Sequence, residues 1–203
     1  MMAVDLGASA LGLVSAMPSG PGVIAEETIA QIAATVPPPV ATFLLTCEQS
    51  AEAIIAQQRW CRTNTIQLVD YVAAEVYARL RAELPGIALV QVVHITGPES
   101  VDYAVNVASK VDALLLDSGN PALVVKQLGG TGRTHNWMFS RSIRDAVQVP
   151  VFLAGGLNPA NVAEAVAAVQ PFGLDLCSGV RTDDKLDPAK LHAFFDAVPG
   201  GDT

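Results

Sequence analysis

Residues 149–181 read VPVFLAGGLNPANVAEAVAAVQPFGLDLCSGVR and contain two consecutive strand–helix units. The apolar run Val151–Ala154 predicts a buried strand that ends at two glycines. Asn158-Pro159 then predicts a helix start, with Asn as N-cap and Pro as the first helical residue. After that helix, the apolar run Gly173–Cys177 predicts a second strand. The stretch therefore predicts βα units of the kind that build a parallel sheet.

Small residues follow both predicted strands, Gly155-Gly156 after the first and Ser178-Gly179 after the second. Glycine turns leave backbone N–H groups open beside helix N-termini, and this arrangement attracts anions, most often phosphate. In a parallel barrel, the loops after the last two strands are the usual phosphate site. Tight turns alone would also explain these glycines, so the spacing leaves both interpretations open.

The rest of the chain repeats the order of strand then helix, and no strand hairpin is predicted. Such alternation over 203 residues predicts a single α/β domain, residues 1–203, with a parallel sheet. A TIM (βα)₈-type barrel is favoured over a doubly wound layer because the chemically interesting residues fall at strand C-termini. Seven strands are predicted where such a barrel has eight. The first strand is therefore expected to be missing from this chain, which starts with a helix closed by Gly7.

Composition excludes several classes of partner. The net charge of −8 argues against nucleic acid, which requires a basic face. No run reaches the roughly 18 apolar residues of a membrane span, and the start MMAVDLG lacks the basic region of a signal peptide. Cys47, Cys61 and Cys177 are widely spaced, which indicates neither a disulfide framework nor a metal site. A cytoplasmic protein is predicted.

Four segments together resemble the phosphoribosylanthranilate isomerase family, barrel enzymes of tryptophan biosynthesis. They are VDALLLDS at 111–118, GGTGRTHNW at 129–137, FLAGGLNPANV at 152–162 and LDLCSGV at 174–180. The resemblance implies a cofactor-free Amadori rearrangement of an N-linked phosphoribosyl aminoaldose to an aminoketose, acting on a small phosphorylated sugar substrate. This chemistry needs a general acid, a general base and an anion site.

The resemblance also assigns roles to residues. Asp117, at the end of a buried apolar run, matches the general acid, and burial is expected to raise its pKa. Asp175 matches an acid on the last strand that faces the substrate. The predicted substrate- and phosphate-binding residues are Asp175 together with Gly130, Gly155, Gly156, Ser178 and Gly179.

The chain departs from the family in the other half of the site. The family's general base, a Cys of a KxCG segment on the first strand, is not present in this chain, and a family arginine would align near Gly22. Arg181 stands where the family has Glu. As a speculative base we consider Cys177, since in a strand it would point to the same face as Asp175.

Two explanations of the missing strand stay open: a start upstream of this sequence, which we favour, or a true seven-stranded remnant. Exposed edges beside a missing strand would favour a homodimer. The alternative function is a catalytically impaired or substrate-shifted paralog that binds a phosphorylated sugar.

Overall fold

The computed structural model describes residues 2–123, 125–130, 132–183 and 185–200. The helices are α1 Met2–Asp5, α2 Glu26–Ala33, α3 Ala51–Cys61, α4 Ala74–Glu83, α5 Glu99–Ala108, α6 Trp137–Ala146, α7 Val162–Val169 and α8 Pro188–Ala197. The main strands are β1 Ala10–Val14, β2 Ala41–Thr46, β3 Thr65–Leu68, β4 Ala88–His94, β5 Ala113–Asp117, β6 Val151–Leu153 and β7 Gly173–Leu174. Within these ranges no helix has both the length and the apolar character to cross a membrane.

Strands β1 to β7 form one parallel sheet in sequence order, each paired with the next. Among the described residues no pairing joins β7 to β1, so these two strands are the edges. Phe43 of β2 and Phe152 of β6 meet across the interior of the sheet, with ring centroids 6.3 Å apart. This contact between distant strands shows that the sheet is strongly curled. The structure thus confirms the predicted parallel α/β sheet of seven strands.

Side-chain alternation separates the two faces of this sheet. In β5, Leu114 and Leu116 pack in the outer apolar layer with the helices, whereas Ala113 and Leu115 belong to a smaller cluster inside the curl. Successive strand residues point to opposite faces, so Asp117 shares the inner face with Ala113 and Leu115. The carboxyl group is thereby placed inside the curl, where β5 ends.

The predicted start of α7 is wrong. The helix begins at Val162, with Asn161 in the N-cap position, rather than at Asn158-Pro159. Asn158 organises the turn before the helix instead. Its side-chain oxygen accepts a hydrogen bond from the main-chain amide of Ala160 at 2.9 Å, and its main-chain amide donates to the side-chain oxygen of Asn161. Asn-Pro is as favourable in a turn as at a helix start, which is why the sequence misplaced the boundary.

The end of β7 also differs from the prediction. The strand stops at Leu174 rather than at Cys177, whose backbone (φ −133°, ψ −76°) leaves the extended region. A single turn of 3₁₀ helix follows at Ser178–Val180, and then a small antiparallel hairpin of β8 Arg181–Thr182 and β9 Lys185–Leu186. No hairpin was predicted, because strands of two residues are too short to show a period of alternation.

The outer layer is expected to carry much of the stability. Leu116 is completely buried, so Leu116→Ala should lower the free energy of unfolding by about 2–5 kcal/mol through lost contacts and a residual cavity. Val105→Ala, at a half-exposed position on α5, is the matched control and should cost well under about 1 kcal/mol. Urea unfolding followed by circular dichroism measures both. Equal effects of the two substitutions would contradict this description of the core.

Candidate active site

A cavity of about 200 Å³ opens at the carboxyl ends of the parallel strands. Seven of the residues predicted from sequence line it: Asp117, Gly130, Gly155, Gly156, Asp175, Cys177 and Ser178. Gly179 is not part of the lining. A Cβ at Gly179 would collide with the carbonyl oxygen of Leu157, so glycine there lets the 3₁₀ turn pack against the loop after β6.

Asp117 lies at the inner end of β5 and is only 5% exposed. Burial raises the pKa of its carboxyl group, and this is partly offset by the Ser118 amide and by the nearby imidazole of His94. The loop after β5 covers the group closely, since a Cβ at Gly129 would lie 3.1 Å from Asp117 Oδ2. A desolvated carboxyl group with a raised pKa holds its proton longer than a solvated one, as a general acid must.

Asp175 enters the same cavity from the segment after β7. Its amide donates to the Leu153 carbonyl at 2.9 Å, which ties the segment to the end of β6. Desolvation, and then the negative charge of Asp117, raise the pKa of Asp175 to about 6. The two carboxyl groups therefore influence each other's ionisation, a pattern typical of sites that use an acid and a base together.

The glycine turn after β6 is rigid and tightly packed. Gly155 and Gly156 have φ of 84° and 64°, in the left-handed region that favours glycine. A Cβ at Gly156 would also lie 2.5 Å from the carbonyl carbon of Arg133, so packing alone explains glycine at this position. The side-chain amides of Asn158 and Asn161 both donate to the Gly156 carbonyl. The role of this turn in phosphate binding stays a prediction.

Cys177 lines the cavity although neither it nor Asp175 is in a strand, so strand alternation does not place the two side chains on one face as predicted. Burial is the main cause of its raised thiol pKa, and the charges of Asp175 and Asp117 add to it. The Arg181 guanidinium, which hydrogen bonds to the thiol, acts in the opposite direction. A thiol with a raised pKa stays protonated at neutral pH and is poorly suited to accept a proton.

Three polar cavity residues, Ser19, Gln67 and Arg181, were not given a role by the sequence prediction. Gln67 points inward from β3, and Arg181 enters from the start of β8. The alternation of β3 could have revealed Gln67, a buried polar residue between apolar neighbours. Nothing local could have placed Arg181 in the cavity. Among the residues that the structure describes, no group of three or more His, Cys, Asp or Glu side chains is placed to hold a metal ion.

Known proteins resemble this chain over nearly all of its length. Residues 2–197 match the family model of N-(5'-phosphoribosyl)anthranilate (PRA) isomerase. The enzyme of that name from Halobacterium salinarum is 38% identical over 95% of this chain and 86% of its own length. The crystal structure of phosphoribosyl anthranilate isomerase from Thermotoga maritima superposes with a TM-score of 0.81 at 28% identity, over 98% of this chain and 92% of the other.

A further solved structure bears on ligand binding. It is a phosphoribosyl anthranilate isomerase in complex with reduced 1-(o-carboxyphenylamino)-1-deoxyribulose 5-phosphate. It is 25% identical to this chain, with a TM-score of 0.77, over 98% of this chain and 91% of the other. These similarities confirm the predicted barrel-type fold.

The raised pKa of Asp175 makes a prediction about stability. In the unfolded chain an Asp titrates near about 4. As the pH rises from 4 to 6, Asp175 therefore loses its proton in the unfolded state before it does so in the native state, and the free energy of unfolding falls. Asp175→Asn removes this penalty. We expect it to be more stable than the unsubstituted protein at pH 7, by on the order of 1–3 kcal/mol.

The difference in unfolding free energy between Asp175→Asn and the unsubstituted protein should shrink towards zero near pH 4. Urea unfolding between pH 4 and pH 7 measures it. Asp102→Asn, at an exposed position on α5, is the control and should follow the unsubstituted protein at every pH. A stability gain from Asp175→Asn that is the same at pH 4 and pH 7 would rule out ionisation as its cause.

Proposed function

Because the chain belongs to the N-(5'-phosphoribosyl)anthranilate isomerase family, we propose that it performs the isomerisation for which its relatives are named, in tryptophan biosynthesis. The observation that carries the proposal is the meeting of Asp117 and Asp175 in one cavity with the glycine turns that follow the strands. The substrate is a small phosphorylated sugar carrying an aromatic amine, and the product is the corresponding aminoketose.

In this proposal Asp117 donates its proton to the furanose ring oxygen while the bond from that oxygen to C1′ breaks, which opens the sugar to a Schiff base. A base then removes the C2′ proton to give an enolamine, and protonation at C1′ together with loss of the C2′ hydroxyl proton completes the aminoketose. The raised pKa of Asp117 supports its role as the proton donor. Main-chain amides of Gly155, Gly156 and Ser178 are proposed to hold the phosphate, with Gly130 closing over it.

Two described cavity side chains are candidates for the base, Asp175 and Cys177. With its pKa at about 6, Asp175 is mostly ionised at neutral pH and is still basic enough to accept a proton. The thiol of Cys177 is held protonated. We therefore propose Asp175 rather than Cys177 as the proton acceptor.

A second candidate function is the binding of a phosphorylated sugar without turnover. It is favoured by one observation: the thiol of Cys177, one of the two described candidates for the base, has a raised pKa, which opposes proton abstraction. The single domain 1–203, the cytoplasmic location, the homodimer and the lack of a nucleic-acid partner stay predictions of the sequence.

Asp117→Asn tests the isomerase directly. An amide cannot donate the proton that opens the ring, so turnover of phosphoribosylanthranilate should fall by at least about 100-fold. The loss of substrate fluorescence over time measures this rate. The control Asp102→Asn should turn over at the unsubstituted rate. Binding of the reduced product analogue by the unsubstituted protein without any turnover would favour the second candidate instead.

Cys177→Ser separates the two candidates for the base. We expect turnover within about threefold of the unsubstituted protein, because a protonated thiol does not abstract the C2′ proton, whereas Asp175→Asn should lose at least about 100-fold. The same fluorescence assay measures both. A large loss for Cys177→Ser with activity retained in Asp175→Asn would reverse the assignment.

A further inference from the structure

The proposed substrate carries two anionic groups at opposite ends, a phosphate on the sugar and a carboxylate on the aromatic ring. The glycine turns are proposed to hold the phosphate, which leaves the carboxylate without an assigned partner. Arg181 is the one cationic side chain among the described residues that line the cavity. Resting on the proposed function, we propose that the Arg181 guanidinium binds the carboxylate of the aromatic group and so selects the substrate.

The position of Arg181 supports this role. Its guanidinium lies beside the loop after β1, where Nη2 is 3.5 Å from the place a Cβ on Gly22 would occupy. Gly22 has φ of 85°, so the loop keeps a residue without a side chain beside the guanidinium. The same Cβ position lies 3.8 Å from Val14 Cγ2, so apolar surface suited to an aromatic ring adjoins the charge.

The proposed phosphate site lies beside a different loop from the Arg181 guanidinium. The Ser178 hydroxyl oxygen lies 3.6 Å from the place a Cβ on Gly132 would occupy, in the loop after β5. Ser178 is thus directed towards the β5 loop, whereas the Arg181 guanidinium is directed towards the β1 loop. The two loops adjoin each other, since a Cβ on Gly130 would lie 2.6 Å from Pro21 Cδ, but Ser178 and Arg181 contact different loops and so offer two separate anion contacts.

The charges in the cavity show why a cation is needed there. The ionised Asp175 makes it unfavourable for a carboxylate of the substrate to enter the cavity, since like charges repel in a partly desolvated site. An arginine offsets this repulsion, and its planar fork can donate two parallel hydrogen bonds to a carboxylate. Arg181 is thereby expected to determine which aromatic groups the site accepts.

The experiment compares two ligands by titration calorimetry. One is reduced 1-(o-carboxyphenylamino)-1-deoxyribulose 5-phosphate, and the other is the phenylamino analogue, identical except that it lacks the carboxylate. Arg181→Gln should weaken binding of the first about 10- to 100-fold and of the second by less than about threefold. Arg181→Lys, which keeps the charge and loses the fork, should fall between. Arg59→Gln, on α3 outside the cavity, should change neither.

The possible outcomes separate this inference from the proposed function. Equal weakening of both ligands would show that Arg181 holds the phosphate or the fold, and no weakening of either would show that it binds neither anion; both overturn the inference. If the unsubstituted protein binds neither ligand, the proposed function fails and the inference with it. Selective loss in a protein that shows no turnover would uphold the carboxylate contact while the isomerase proposal fails.

Discussion

The alternation of side chains along parallel strands is the constraint on which this structure depends. Because strands β1 to β7 pair in sequence order and in one direction, every strand delivers its last residues to the same end of the sheet. The curl then turns one face of each strand inward, so a polar residue in the right register at a strand end enters a shared cavity. Asp117 is such a residue, with Ala113 and Leu115 below it on the inner face and Leu114 and Leu116 packed outside.

Burial of charge gives the cavity its chemical character. Burial displaces the pKa values of both Asp117 and Asp175 upward, and the negative charge of Asp117 raises the pKa of Asp175 further. Such a site costs stability at neutral pH, which the fold tolerates because its outer apolar layer is extensive. The guanidinium of Arg181 brings a positive charge to the same cavity, and it lowers the pKa of Cys177 where the two carboxylates raise it.

Sequence reasoning succeeded where an element is long enough to show its own pattern. β5 ends at Asp117, as the buried apolar run in the sequence predicted, since that run is apolar and sharply bounded. It failed at the end of β7, where Asp175 to Cys177 continue an apolar composition but leave the strand, and at the hairpin of β8 and β9. In these segments main-chain contacts with neighbouring loops decide the conformation, and the amino-acid composition of a segment does not indicate such contacts.

By itself the sequence determined the order of strands and helices, the parallel sheet, and the nature of the groups at the strand ends, including Asp117, Asp175 and the glycine turns. These follow from local periodicity and from the chemistry of each side chain. It also showed a glycine at 22 and an arginine at 181 as two separate departures from the family. Only the tertiary structure brought these two positions into contact, because the curl of the sheet places the loop after its first strand beside the segment after its last, a proximity that no local pattern encodes.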